Sequence, residues 1–250
     1  MTTSAPWKHV WISGASSGLG EYTARALAKL GCRVSISARS KDALDAIAAD
    51  FSNVTSYVGD VTDRERMLEL VDEMENAHGP IDLCILSAGT WFPGSITSLQ
   101  VENFAKTIDI NLMGVVYCLD AILPRMLERR TGHISWISSV AGYGGLPNSA
   151  AYGASKAALI HFAESAKPEL ERKGIALSVI NPGFVKTQLT AKNKFPMPFL
   201  MEPEDAADKI VSGLRKKKFE IAFPWQLVTI LKAINHLPYW LYFWVTKRLV

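Results

Sequence analysis

From His9 to about Ala222 the chain alternates short apolar, β-branched runs with longer segments of helical period, and few folds tolerate that pattern. The short runs are His9–Ser13, Arg33–Ala38, Val54–Val58, Leu83–Ser87, His133–Ser138, Ala176–Asn181 and Glu220–Ala222. Helix-like stretches between them include Leu19–Leu30, Asp63–Ala77, Val101–Arg129, Tyr152–Lys173 and Pro203–Lys218. Strands this apolar are buried on both faces, as parallel strands under covering helices must be. Strict alternation predicts a Rossmann-type, doubly wound α/β sheet with right-handed crossovers. Glycines and prolines fall at the joints, and no Ser/Gly linker, repeat or low-complexity stretch divides the chain. The expected organisation is one domain over residues 1–222, with a helical appendage over residues 223–250.

The first run leads straight into Ser13-Gly14-Ala15-Ser16-Ser17-Gly18-Leu19-Gly20, where a helix opens. Glycines permit a tight turn and let the backbone approach a pyrophosphate, whose charge is held by the N–H groups and dipole of the helix start. Gly14, Ser16, Ser17, Gly18, Leu19 and Gly20 are therefore candidate dinucleotide contacts. The spacing is Gly-x-x-x-Gly-x-Gly, not Gly-x-Gly-x-x-Gly, so its strand-to-helix context carries much of the signal.

About 20 residues further on, a dinucleotide fold places an acid for the ribose 2′-hydroxyl or an arginine for a 2′-phosphate. Here the second strand ends Ala38-Arg39-Ser40, with no Asp or Glu at that point. A guanidinium matches phosphate in charge and geometry, which favours NADP over NAD. A solvated loop arginine is the plainer alternative. Asp60-Val61 stands where a carboxylate could accept from the adenine amino group, or it belongs to a helix N-cap region.

Tyr152-Gly153-Ala154-Ser155-Lys156 puts a phenol and an ammonium at i and i+4, on one helix face. A phenol with an ordinary pKa of about 10 is a poor base at neutral pH, and a nearby cation brings it toward general acid/base work. Ser138-Ser139 closes the fifth strand, 13 residues before Tyr152. That is near enough for a hydroxyl to share the same carbonyl.

With these motifs in order, the chain resembles the short-chain dehydrogenase/reductase family, in its branch of about 250 residues, over residues 7–222. The resemblance rests on Gly14–Gly20, Asp60-Val61, Ser87-Ala88-Gly89, Asn111, Ile137-Ser138-Ser139, Tyr152-x-x-x-Lys156 and Pro182-Gly183-x-Val185-x-Thr187. It implies that Tyr152 donates a proton to the substrate carbonyl and that Ser139 holds that carbonyl. It implies that Lys156 lowers the tyrosine pKa and binds the nicotinamide ribose, while Asn111 holds a water of a proton relay. Pro182, Gly183, Val185 and Thr187 would line the nicotinamide, and Ser40, Ser87, Ala88 and Gly89 complete the cofactor set. A homodimer or homotetramer is the implied assembly. Two departures stand out: Ser87 replaces the family's usual asparagine, and Pro168 falls inside the helix of Tyr152, where it is expected to kink or split it.

Charge separates body from tail. Residues 1–220 carry 24 basic and 24 acidic groups, so the whole net charge of +3 comes from Lys232, Lys247 and Arg248. A neutral body argues against nucleic-acid binding. The last 30 residues hold 7 of the 24 aromatic side chains and no acid. Tryptophan, tyrosine and basic flanks fit an interfacial helix pair on an anionic membrane; a pocket lid or subunit contact are the alternatives. Residues 188–203 include Phe195, Pro196, Met197, Pro198, Phe199, Leu200 and Met201, an apolar loop that fits a hydrophobic substrate or ordinary packing. Cys32, Cys84 and Cys118 show no metal-ligand spacing, and no metal site is expected. With no signal segment before Gly14 and no apolar run approaching about 18 residues, the expected location is cytoplasmic, at most peripherally membrane-bound. The expected activity is NADP-dependent interconversion of a hydrophobic ketone or aldehyde and its alcohol. The alternative is a dinucleotide-sensing protein without turnover, which has no need of Ser139, Tyr152 and Lys156 together.

Overall fold

A computed structural model describes residues 5–192 and 195–249, so residues 193, 194 and 250 of the segments singled out above lie outside the described residues. Seven parallel strands form one sheet: β1 (His9–Ser13), β2 (Arg33–Ala38), β3 (Val54–Val58), β4 (Leu83–Leu86), β5 (Gly132–Ile137), β6 (Ile175–Pro182) and β7 (Glu220–Phe223). Their order is β3-β2-β1-β4-β5-β6-β7, the doubly wound α/β arrangement that the alternation demands. Side-chain alternation along each strand divides the core between two layers. Val10 and Ile12 of β1 pack with α1 (Gly18–Lys29), α2 (Lys41–Ala49) and α7 (Pro203–Arg215). Trp11, between them, packs with α3 (Arg64–His78), α5 (Gly114–Arg129) and α6 (Ala150–Arg172) on the other face.

The long apolar segment after β4 forms α4 (Val101–Ile108), a π turn over Asp109–Met113 and then α5. By length and composition this 29-residue helix could cross a membrane, with a window of mean hydropathy 1.4, although it holds no uninterrupted apolar run of that length. Its apolar face is spent on the body, since Val115, Cys118, Leu119, Ile122 and Met126 are buried with Trp11 and Trp136. Pro168 does not split α6. The helix runs on to Arg172, because Leu170 is buried against the sheet beyond the proline and Lys167 pairs with Glu171 across it at 3.1 Å. The three cysteines are free and buried, and burial pushes the Cys118 thiol up to about 12.

The strands are less apolar than their pattern suggests. Ser35, Ser37, Ser135 and Ser178 are buried in the sheet layers and each has a partner. Trp11 Nε1 donates to Ser37 Oγ at 2.9 Å, and Ser135 Oγ donates to the Cys84 carbonyl at 3.1 Å. Ser178 Oγ donates to the Lys218 carbonyl at 2.6 Å, so it must accept from His133 Nε2 at 2.8 Å. His133 is thus the neutral Nε2–H tautomer, and burial lowers its pKa to about 4. Between pH 6.5 and 4 the unfolded chain takes up a proton here that the folded chain refuses, so stability falls as pH falls. The melting temperature is therefore expected to drop by several degrees from pH 7 to pH 4.5, and the drop should be smaller in His133→Met. Equal acid sensitivity of parent and variant would refute the assignment.

Candidate active site

Ser13 of β1 lies beside Leu86 of β4, and these two strand ends open the cleft. The helix after β1 leads to β2 on one side, while the segment after β4 leads to β5 on the other. That reversal leaves a crevice at the carboxyl ends of the strands, the usual ligand position in such sheets. The cleft has a volume of about 630 Å³.

The glycine loop forms its floor. Gly14 has φ +68°, and a Cβ there would lie 2.4 Å from the Ala88 amide nitrogen, so only glycine lets the two strand-end loops touch. Gly20 serves differently: a Cβ would lie 2.5 Å from the Gly14 carbonyl, which packs the start of α1 under the loop. Gly20 does not line the cleft, whereas Gly14, Ser16, Ser17, Gly18 and Leu19 do. Ser17, the N-cap of α1, makes no side-chain capping bond, so the first-turn N–H groups remain available to an anion.

On the wall, Arg39 and Ser40 stand at the end of β2, and Arg39 Nη1 lies 3.7 Å from Asp60 Oδ2. The Asp60 Oδ1 accepts from the Thr62 amide and hydroxyl at 3.0 and 2.9 Å, which fixes the carboxylate beside the cleft. Asp63, not Asp60, caps α3, accepting from Arg66 N at 3.0 Å. Val61, Ser87, Ala88 and Gly89 line the cleft as well. Ser87 ties the end of β4 through its backbone, its amide donating to the Ser13 carbonyl at 3.1 Å.

At the far end, Ser139, Tyr152 and Lys156 converge. α6 is anchored there because Ser138 Oγ donates to the Lys156 carbonyl at 2.7 Å. Ser139 Oγ accepts from the Ala141 amide at 3.1 Å and donates to the Pro182 carbonyl at 3.4 Å. Lys156 is buried, with Nζ donating to the Ile137 carbonyl at 2.8 Å and lying 5.6 Å from the centre of the Tyr152 ring. Burial lowers its pKa to about 7. Tyr152 moves the other way from the expectation: desolvation raises its pKa, and a hydrogen bond with Ser139 only partly opposes the rise. The phenol holds its proton at neutral pH.

Pro182, Gly183, Val185 and Thr187 close the cleft opposite the glycine loop, and Thr187 faces Gly18. Asn111 does not reach it. Fully buried in the π turn, its amide donates to the Thr90 carbonyl and to Ser155 Oγ, both at 3.0 Å, and its carbonyl oxygen accepts from the Thr90 amide at 2.7 Å. A Cβ on Gly89 would lie 3.6 Å from both Asn111 Oδ1 and Lys156 Nζ, so the two groups flank the same glycine. Among the lining residues that escaped sequence reasoning are Thr90 and Thr190. Thr90 lines the cleft with its backbone clamped by Asn111. Thr190 Oγ1 accepts from the Thr187 amide at 3.0 Å and contacts the Val185 carbonyl at 2.6 Å, stapling that wall; its position three residues after Thr187 was the available signal. Among the described residues no cluster of metal-ligating side chains occurs.

Fold, glycine cradle and the Ser-Tyr-Lys convergence define a dinucleotide-binding oxidoreductase class. The short chain dehydrogenase family model matches residues 8–196, and the chain belongs to that family. An uncharacterised oxidoreductase of Myxococcus xanthus is 39% identical over 242 residues, covering 95% of this chain and 96% of the relative. Another from Staphylococcus aureus (strain USA300) is 34% identical, over 83% and 90% of the two chains. Among solved structures, a short-chain dehydrogenase from Streptomyces avermitilis superposes with TM-score 0.83 at 25% identity, covering 90% of this chain and 92% of its own. ElxO with NADP bound superposes with TM-score 0.78 at 27% identity, over 86% and 97%. The chain is therefore an oxidoreductase. Gly14→Val is expected to lower the melting temperature by several degrees and abolish dinucleotide binding, measured by cofactor fluorescence; retained binding would contradict the close approach to Ala88.

Proposed function

We propose that this oxidoreductase uses NADP and interconverts a hydrophobic ketone or aldehyde and the corresponding alcohol. The observation that carries the cofactor choice is Arg39 beside the cleft at the end of β2, where no acid stands to take a ribose 2′-hydroxyl. Ser40, the N-cap of α2, makes no side-chain capping bond and adds a free hydroxyl at the same point. The NADP bound to ElxO, a structure with the same fold, supports the choice. The open first-turn amides of α1 and the glycine cradle fit a pyrophosphate. When bound, the nicotinamide supplies or takes up the hydride.

The chain's own residues do the rest. Tyr152, with its proton held by burial, donates it to the substrate oxygen during reduction and takes it back in the reverse direction. Ser139 holds that oxygen and stabilises its developing charge. Lys156 in its charged form favours the phenolate that Tyr152 becomes, and in this reading its Nζ binds the ribose hydroxyls. Asn111, across Gly89 from Lys156, holds in this reading a water that links Lys156 to solvent as a proton relay. Residues 1–222 form the catalytic unit in this reading and 223–250 its appendage, assembled as a homodimer or homotetramer. Met201 is committed to the fold, its backbone paired with Phe184 and Lys186 and its side chain on the core, so Phe195, Phe199 and Leu200, which are exposed, are the loop residues left for an apolar substrate.

Three outcomes test this. NADPH oxidation with a panel of long-chain and aromatic ketones should proceed in the parent, and in Tyr152→Phe should fall by at least about 10²-fold in kcat/KM. Turnover equal to the parent would refute the mechanism. Lys156 is charged below its pKa of about 7 and neutral above it, so the reduction rate should decline as pH rises through that value. A profile flat to pH 9 would remove Lys156 from the chemistry. Arg39→Asp should weaken NADPH by roughly 10-fold to 100-fold and spare NADH; equal losses would leave the cofactor choice without support.

A further inference from the structure

The last two helices show an apolar surface that the oxidoreductase chemistry does not use. α8 (Trp225–Asn235) buries Leu227, which packs so closely on Gly183 that a Cβ there would lie 2.8 Å from it. α9 (Tyr239–Thr246) buries Tyr242 and Thr246 and turns a continuous aromatic face outward. On that face Tyr239, Trp240, Phe243 and Trp244 are 78%, 73%, 54% and 55% exposed. The exposed Ile230 and Trp225 of α8 extend the apolar area.

Charge decides what such a face meets. No acid occurs after Glu220, and Glu220 is itself consumed by Lys232 at 2.5 Å. Lys247 and Arg248 follow α9, both exposed and in no ion pair among the described residues, with Arg248 stacked 3.5 Å over the Trp244 ring. In a two-fold contact the patch would meet itself, bringing these cations against an identical surface with no acid to answer them. An anionic bilayer answers both features: tryptophan and tyrosine settle at its interface, and its headgroups attract the cations. Eight residues are too few to span a bilayer, so α9 would lie in the interfacial plane.

We infer that α9 is a docking helix for an anionic membrane surface, bound through Tyr239, Trp240, Phe243 and Trp244 and flanked by Lys247 and Arg248. The helix is tied to the active-site loop, since Tyr242 Oη donates to the Gly145 carbonyl at 2.5 Å in the segment between Ser139 and Tyr152. Docking therefore sets that loop beside the lipid, where an apolar substrate concentrates.

The test is flotation of the full chain with vesicles of phosphatidylcholine alone or with one quarter phosphatidylglycerol, with dinucleotide binding and ketone reduction measured in parallel. The parent should float with the anionic vesicles, weakly with the neutral ones, and less at 1 M salt. Trp240→Ser/Trp244→Ser should lose flotation while keeping activity on a soluble ketone within about twofold, since neither residue lines the cleft. Lys247→Gln/Arg248→Gln should weaken binding by about fivefold for each charge removed. No flotation of the parent, equal flotation of the tryptophan variant, or a dimer that those substitutions dissociate would overturn the proposal. Because cofactor binding is read separately, its failure would not be mistaken for failure of the oxidoreductase reading.

Discussion

The site depends on one junction, where the loops leaving β1 and β4 touch. Parallel strands carry their connections away in opposite directions at this point, so no helix crosses the crevice. The two loops then have to approach backbone to backbone, which Gly14 permits and any Cβ would prevent. From that contact the rest of the cleft follows. The glycine loop is pinned against Ala88, Gly89 is set between Asn111 and Lys156, and the start of α1 is held under the loop by Gly20. Both helix layers pack on this arrangement from opposite faces, so the floor is as rigid as the core beneath it.

The reactive end is built at the expense of solvation. A buried lysine with no carboxylate partner is costly in its charged form, and the fold answers with one carbonyl, that of Ile137. The pKa therefore drops toward neutrality. Tyr152 is pushed in the opposite direction by the same burial. The two pKa values are thereby pushed apart: Lys156 gives up its charge more readily than a free lysine, and Tyr152 holds its proton more firmly than a free tyrosine. Asn111 contributes by rigidity: both of its amide protons and one lone pair of its carbonyl oxygen go to Thr90 and Ser155, which locks the π turn against α6.

Much of this was legible in the chain itself, for physical reasons that also mark where legibility ended. β1, β2 and β3 lie where apolar periodicity puts them, although β2 carries the buried Ser35 and Ser37 and β3, at the sheet edge, is only partly buried. The short α2 was not singled out, since nine residues carry little more than two helical turns of pattern. Pro168 is expected to kink or split its helix, yet tertiary packing of Leu170 outweighs one lost hydrogen bond near a helix end. The π turn at Asn111 is a shift in backbone register and leaves no mark on side-chain periodicity. Likewise the Ser178–His133 pair joins neighbouring strands far apart in sequence, so no local spacing announces it. The pairing of Arg39 with Asp60 is of the same kind, built by two strand ends brought side by side.

Glu220 shows how the appendage is bound to the chemistry. Burial alone would raise its pKa, but hydrogen bonds from Lys232, Tyr143 and Asn181 outweigh that and hold it ionised, below the usual carboxylate range. Its Oε1 accepts from Tyr143 at 2.7 Å and from Asn181 at 2.9 Å, while Oε2 takes Lys232. One carboxylate thus joins α8, the loop after Ser139 and the strand that ends in Pro182. Removing any one donor leaves a half-buried charge less well answered, so the three segments stabilise one another. A tail held merely by exposed apolar contacts could drift from the body. This one is fastened by charge at its root and by Tyr242 near its end, which ties it to Tyr143 and Gly145 in the segment between Ser139 and Tyr152.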